Sequence, residues 1–391
     1  MKQLTAFLIC VLLYGNLVSI SAQKDSLRLA RKEQRNARFS ILGGPGYSPE
    51  TGLLIGGSML ATFDINRLDT LKPRSVVPLA FGIILSNGGG ITLSSRPQLF
   101  FNADRLRITG QLSYRQSPDH YYGVGYQNAL HTIRSDSTTA FDGILFQFNP
   151  VILLKLGHSR FYLGPMIDFV HEQINKPSKG IVDDPYYARY GGTETGYVMT
   201  TNSIGFSLSY DTRDVPANAY KGIFLDVKVT YADNWLGSDV QFGTYALEYR
   251  QYQSIRPFGP RRILAWNISS KYSFGDVPPT RMQRIGTPFD LRGYYSGQFR
   301  DAAGNVFVAE YRHMFNTGSG KIGRLWKHIG FAGWAGAGFM GSSPFDIEGV
   351  LPNAGLGLRI ELQPRMNFRL DVGRGFKSNQ TLIYFNMTEA F

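Results

Sequence analysis

The chain has 391 residues, 14% aromatic and 18% charged, with 44 glycines and a mean hydropathy of −0.16. Low charge with abundant Gly, Tyr and Phe fits an all-β chain with many turns better than a helical one. The net charge is +12, but Lys and Arg are scattered singly, without the basic block and interleaved aromatics that a nucleic-acid surface needs, so no nucleic-acid partner is expected.

Met1-Lys2-Gln3 is a short positive start, followed by an apolar stretch from Leu4 to Ile20 and a small residue, Ala22, at a plausible cleavage point. A stretch of roughly 17 residues interrupted by Asn16 is short for a membrane anchor, so residues 1–22 read as a signal peptide. Cys10, the only cysteine, lies inside it; the exported chain has neither disulfides nor thiolate metal sites. Residues 23–37 form a basic leader expected in the periplasm. No later stretch of 18 apolar residues occurs, which excludes helical spans and leaves an exported soluble protein or a barrel.

From Phe39 onward the period is two. Ile223-Phe224-Leu225-Asp226-Val227-Lys228-Val229 alternates apolar and mostly polar residues, as do Arg105-Leu106-Arg107-Ile108-Thr109 and Leu358-Arg359-Ile360-Glu361-Leu362. A soluble sandwich alternates too. Three features favour a membrane barrel over 38–391: long strands, aromatics near strand ends, and a polar face rich in charge. The expected strands are 38–47, 51–64, 73–86, 89–101, 104–115, 139–157, 159–171, 200–212, 220–232, 239–252, 260–274, 302–315, 327–341, 352–363, 366–375 and 380–391. They make a transmembrane antiparallel β-barrel of about sixteen strands. An even count puts both ends on the periplasmic side. The long gaps 116–138, 172–199 and 275–301 follow the fifth, seventh and eleventh strands, so all three face outward.

The first strand contains Gly43-Gly44-Pro45-Gly46, where Pro45 lacks an N–H and the glycines add no packing. Its pairing with 380–391 is expected to be a weak seam, unless the Gly-Pro run merely begins the turn at Tyr47. Ile383, Phe385, Met387 and Phe391 give the last strand an aromatic-apolar face suited to an assembly signal, which Glu389 interrupts.

Leu291-Arg292-Gly293-Tyr294 lies in the gap after the eleventh strand. Gly46-Tyr47-Ser48-Pro49-Glu50-Thr51-Gly52 opens the barrel, and Asp211-Thr212-Arg213-Asp214 with Pro216 and Gly222 lies between the eighth and ninth strands. With Glu310 and the closing Gly355-x-Gly357-Leu358-Arg359, Leu370-Asp371 and Phe391, the sequence over roughly 40–391 resembles the BamA/TamA superfamily (the bacterial surface antigen type of barrel). The resemblance implies a sixth extracellular loop that folds into the lumen, where Arg292 meets Glu310. Alternation also turns Val308, Glu310 and Arg312 inward. Two departures stand out. Only about fifteen residues precede the first strand, too few for the POTRA domains of barrel-assembling members. On the thirteenth strand, Gly333-Trp334-Ala335-Gly336 carries no carboxylate, so Trp334 is expected as a cation–π neighbour of Arg292, with Asp371 a distant alternative partner.

The six histidines show no metal-ligand spacing and no Gly-x-Ser-x-Gly occurs, so no enzyme, metal or cofactor is expected; Gly318-Ser319-Gly320-Lys321 reads as a turn. The resemblance implies insertion or translocation of polypeptide or lipid at the outer membrane of a Gram-negative cell. Expected partners are outer-membrane lipid and a separate periplasmic protein or lipoprotein, with the client unknown. A passive channel is the alternative, and a lipid-modifying enzyme with a His–Ser pair across strands a more remote one.

Overall fold

The computed structural model describes residues 37–391 apart from 51, 66–74, 87, 217, 256–258, 316–322, 324–325 and 364. The expected signal peptide, nearly all of the leader and the 318–321 turn lie outside the described residues. The strands are β1 (Ala37–Ser48), β2 (Gly52–Phe63), β3 (Ser75–Ile84), β4 (Gly90–Ser95), β5 (Gln98–Phe101), β6 (Leu106–Thr109), β7 (Leu112–His120), β8 (Ala140–Phe148), β9 (Val151–Lys155) and β10 (Phe161–Asn175). There follow β11 (Gly196–Asp211), β12 (Gly222–Ala232), β13 (Phe242–Ser254), β14 (Arg262–Gly275), β15 (Gln283–Ile285), β16 (Phe299–Asp301), β17 (Ala303–Met314), β18 (Ile329–Gly341), β19 (Gly349–Gln363), β20 (Met366–Gly375) and β21 (Gln380–Met387). All but β15 and β16, which pair with each other, belong to one large antiparallel sheet. Short helices α1 (Tyr126–His131), α2 (Lys179–Val182) and α3 (Pro185–Arg189) sit in the connections.

Alternation decides the two faces. On β17, Phe307 points outward and is exposed, while Val308 and Glu310 point inward and are fully buried. The outer face displays Phe206, Val229, Tyr231, Tyr245, Leu247, Leu356 and Leu358, an apolar belt. The inner face of β12 to β14 carries Asp226, Lys228, Glu248, Arg250 and Lys271, and Lys228, Arg250 and Lys271 keep contact with water. No helix among the described residues is long and apolar enough to cross a membrane. A sheet with one apolar and one polar face crosses with strands instead.

Three stretches expected as single strands, 89–101, 104–115 and 139–157, are each divided in two. The breaks fall at Arg96-Pro97, Gly110-Gln111 and Asn149-Pro150, and they adjoin. The Asn149 side chain accepts from the Gln111 N–H at 2.6 Å, and Asn149 N–H donates to Gln111 O at 2.9 Å. Pro97 and Pro150 cannot donate to a ladder and Gly110 has φ +144°, so the sheet creases where the three meet. The last strand also differs from expectation: it ends at Met387, not 391. Thr388 takes φ +67°, and the chain turns inward, so Phe391 is not on the seam strand.

Gly43, Gly44, Pro45 and Gly46 lie within β1 and pair with Gly57, Gly56, Ile55 and Leu54 of β2, so the run belongs to the strand and does not begin the turn. The sheet curls until β1 and β21 lie side by side. β1 pairs with β2 and β21 with β20 along their lengths. Phe39 and Ile41 of β1 are 61% and 78% exposed at this edge.

Pro45 has no N–H to donate and the neighbouring glycines add no side-chain packing, so the seam edge of β1 opens more readily than a well-packed strand. Hydrogen exchange in nanodiscs should therefore show faster exchange at 39–44 than at 223–229, which is laddered on both sides. Equal protection would remove the case for a weak seam.

Candidate functional site

The segment from Asp276 to Ala302 joins β14 to β17 and folds against the inward faces of β17 to β21. Its Arg-Gly-Tyr motif is shaped by close backbone approach. Gly293 has φ +118°, and a Cβ there would come within 2.4 Å of the Arg374–Gly375 backbone on β20. A Cβ at Gly373 would likewise come within 2.7 Å of the Arg292 backbone. Glycine on both sides lets the loop lie directly on the strand. Leu291 and Tyr294 are fully buried on either side; the Tyr294 ring meets Phe299 edge-on at 5.4 Å and its hydroxyl donates to Pro352 O at 2.6 Å.

Arg292 is fully buried. One terminal nitrogen donates to Glu310 Oε2 at 2.5 Å, the other to Asp371 Oδ2 at 2.7 Å, and the guanidinium carbon lies 3.5 Å from the Trp334 ring centroid. Trp334 stands in the thirteenth-strand stretch that has no carboxylate. Asp371 is no distant alternative: it accepts from Arg292, Arg359 and Arg369, all at 2.6–2.7 Å. β20 runs beside the loop, so its inward residues reach the motif as readily as those of β17.

The cluster extends beyond this pair. Glu310 also accepts from Arg312 Nε at 2.7 Å. Glu389, beyond the last strand, accepts from Arg359 Nε at 2.9 Å and Asn367 Nδ2 at 2.7 Å. Arg312 Nη2 donates to Phe391 O at 2.9 Å. The residue that interrupts the outward alternation is thus the third carboxylate of a group containing Arg292, Arg312, Arg359 and Arg369. Alternation identifies Arg312, Arg359 and Arg369 as inward; the turn at Thr388 that brings Glu389 to them has no sequence signal of its own.

The same loop touches both edges of the seam. On β21, Tyr384 accepts from Gly293 N–H at 2.9 Å and donates to Tyr294 O at 3.2 Å. At the β1–β2 turn, Glu50 Oε1 accepts from Ser296 N–H at 2.9 Å. Arg134 donates to Pro49 O at 3.2 Å and lies over the Tyr295 ring at 4.3 Å. Burial pushes the Glu50 carboxyl above its ordinary range, against the lowering effect of the Ser296 hydrogen bond. At the opposite rim, Asp214 of the Asp-Thr-Arg-Asp turn accepts from Arg365 at 2.6 Å and so ties the β11–β12 turn to the β19–β20 turn.

Breaking one side of a buried ion pair costs about 3–5 kcal/mol. Arg292→Ala and Glu310→Ala should each loosen the loop by about 3 kcal/mol, and the double change should be less than additive. Protease cleavage within 276–301 measures this; strictly additive effects would deny the coupling. A pH effect comes from Asp301 at the end of β16. Burial, with Glu348 and Asp346 nearby, pushes its carboxyl up to about 6, against the Ala302 N–H bond. Between the ordinary carboxylate range and about pH 6 the folded hairpin holds a proton that the unfolded one has lost, so its stability falls as pH rises through that window. Loop protection should be greater at pH 5 than at pH 7.5, and Asp301→Asn should reduce the difference.

The sequence matches the model of the Omp85 superfamily domain over residues 77–390. A search of the curated proteins finds no match. Among solved structures, the chain is similar to BamA from Haemophilus ducreyi lacking POTRA domains 1–3, with TM-score 0.56 and 13% identity, covering 91% of this chain and 70% of that one. It is similar to CdiB from Escherichia coli, with TM-score 0.58 and 11% identity over 91% and 63% of the two chains. CdiB from Acinetobacter baumannii gives 0.52 and 14% over 90% and 60%. The chain spans less than two thirds of the length of either CdiB. With the family model covering most of the chain, it belongs to the Omp85 superfamily of outer-membrane β-barrel transporters and insertases, which are not enzymes.

Proposed function

We propose that the chain forms a barrel of sixteen staves in the outer membrane and moves or inserts polypeptide or lipid by parting β1 from β21. Counting each strand divided by the crease as one stave gives that number, with β15 and β16 left to the loop. The long connections then share one end, which faces outward, and the short turns share the periplasmic end. The observation that carries the reading is the seam: β1, with its Gly43-Gly44-Pro45-Gly46 run, lies beside β21, and one loop, anchored by Arg292, holds both. The half of the lumen beside β17 to β21 is filled by the loop, which supports transport through a regulated path over free diffusion. The water-accessible Lys228, Arg250 and Lys271 on the other wall are what favours the channel reading. A separate partner protein would supply client selection.

Orientation is tested first. Single cysteines at Asp136 and Asn175 should react with an impermeant reagent in intact cells, and one at His158 only after permeabilisation; equal labelling overturns the topology. For the seam, a photo-crosslinker at Ile41 of β1 should trap polypeptide or lipid in growing cells that one at Phe206, on a wall laddered on both sides, does not. The same adducts from both positions would refute use of the seam. Steady conductance of the wild-type protein in planar bilayers, unchanged by Arg292→Ala, would favour the channel.

A further inference from the structure

The outer wall of β14 to β20 is not uniformly filled. A groove of about 660 Å³ runs across it, floored by Ala309, Gly333, Ala335 and Ala354. Ala309 stands opposite Ala335, Ala335 opposite Ala354, and Ala354 opposite Arg374 on β20. Small residues on neighbouring strands therefore form a continuous channel, flanked by Leu264, Tyr311 and Phe376. At its end on the long-loop side, Arg374 points outward and is exposed. Its guanidinium donates to Asn379 Oδ1 and, at 2.9 Å, to Thr381 Oγ1, both neutral groups that orient the charge without cancelling it. The hairpin Gly373-Arg374-Gly375-Phe376-Lys377-Ser378-Asn379-Gln380 contains two cations and no carboxylate.

We propose that this groove binds a single membrane lipid, one acyl chain lying along the small residues and an anionic phosphate headgroup resting on Arg374. Charge complementarity selects the occupant. An arginine at the end of an apolar wall is matched by a lipid phosphate, and the row of small residues lets an acyl chain lie closer to the backbone than the flanking Leu264, Tyr311 and Phe376 would allow. The proposal concerns the membrane-facing wall and does not depend on the seam opening.

Trp266 faces outward opposite Ala309, at the far margin of the groove, and reports on its contents. In full-length protein carrying Trp235→Phe and Trp326→Phe, the remaining Trp334 is buried inside the sheet. Nanodiscs of phosphatidylcholine would receive a small fraction of brominated-chain phosphatidylglycerol or, separately, brominated-chain phosphatidylcholine. Quenching of Trp266 should favour the anionic lipid by about fivefold, the preference expected from one basic residue near the membrane surface. Arg374→Gln should abolish the preference and Arg374→Lys should largely keep it, while quenching by brominated phosphatidylcholine in each variant verifies that the wall is still embedded. Equal quenching by the two lipids in the parent protein, which would mean ordinary boundary lipid only, overturns the proposal. So does a preference that survives Arg374→Gln.

Discussion

The burial of Arg292 is the constraint on which the inner architecture depends. A guanidinium removed from water must find opposite charge and hydrogen-bond acceptors within reach, or the loop that carries it cannot stay inside. β17 supplies Glu310, β20 supplies Asp371 and β18 supplies the Trp334 ring. Those three groups lie on separate strands, so the arginine docks only when the strands keep their register. The requirement acts in both directions: a slip of one residue would turn Glu310 outward and leave Arg292 without its nearest carboxylate.

Two carboxylates would not balance the four arginines that alternation turns inward on this wall and its loop. Glu389 joins them through the turn at Thr388, and backbone oxygens of Pro288 and Phe391 accept further guanidinium protons. Asp371 serves three arginines at once because its Oδ2 accepts from both Arg292 and Arg369 while its Oδ1 accepts from Arg359. The path of the chain after β21 and the path of the loop before β17 are thereby settled by the same group of charges.

Much of this was legible from the chain, and the reasons for the rest are physical. Period-two alternation over 223–229 and 356–362 reports which face a side chain occupies, and it assigned Val308, Glu310 and Arg312 correctly to the interior. The Arg-Gly-Tyr motif marked the loop because a glycine is needed where backbone meets backbone. Alternation carries no information about which strands curve toward one another, so it does not reveal that Asp371 lies beside Arg292. Pro97, Gly110 and Pro150 each signal a weak ladder, but only their adjacency across three staves, which the sequence does not show, turns three local defects into one line. Glu389 looked like a flaw in an outward strand because the inward turn at Thr388 rests on partners 20–30 residues and more away in sequence.

The distribution of ladder bonds also orders the wall mechanically. From β10 through β14 and on from β17 to β21 each strand pairs continuously with the next, apart from a bulge at Glu361–Gln363. That is the portion that carries the charge cluster, and a site held by paired ions needs a wall that does not shift. The weaker features, the crease across β4 to β9 and the glycine-rich β1, lie in the other part of the sheet. Backbone pairing sums over many residues, so a strand bonded on both sides resists displacement far more than one bonded on a single side. Strand β1, rich in glycine and with Pro45 unable to donate to a ladder, adds the least packing to the wall, and Glu50 at its turn is where the anchored loop restrains it.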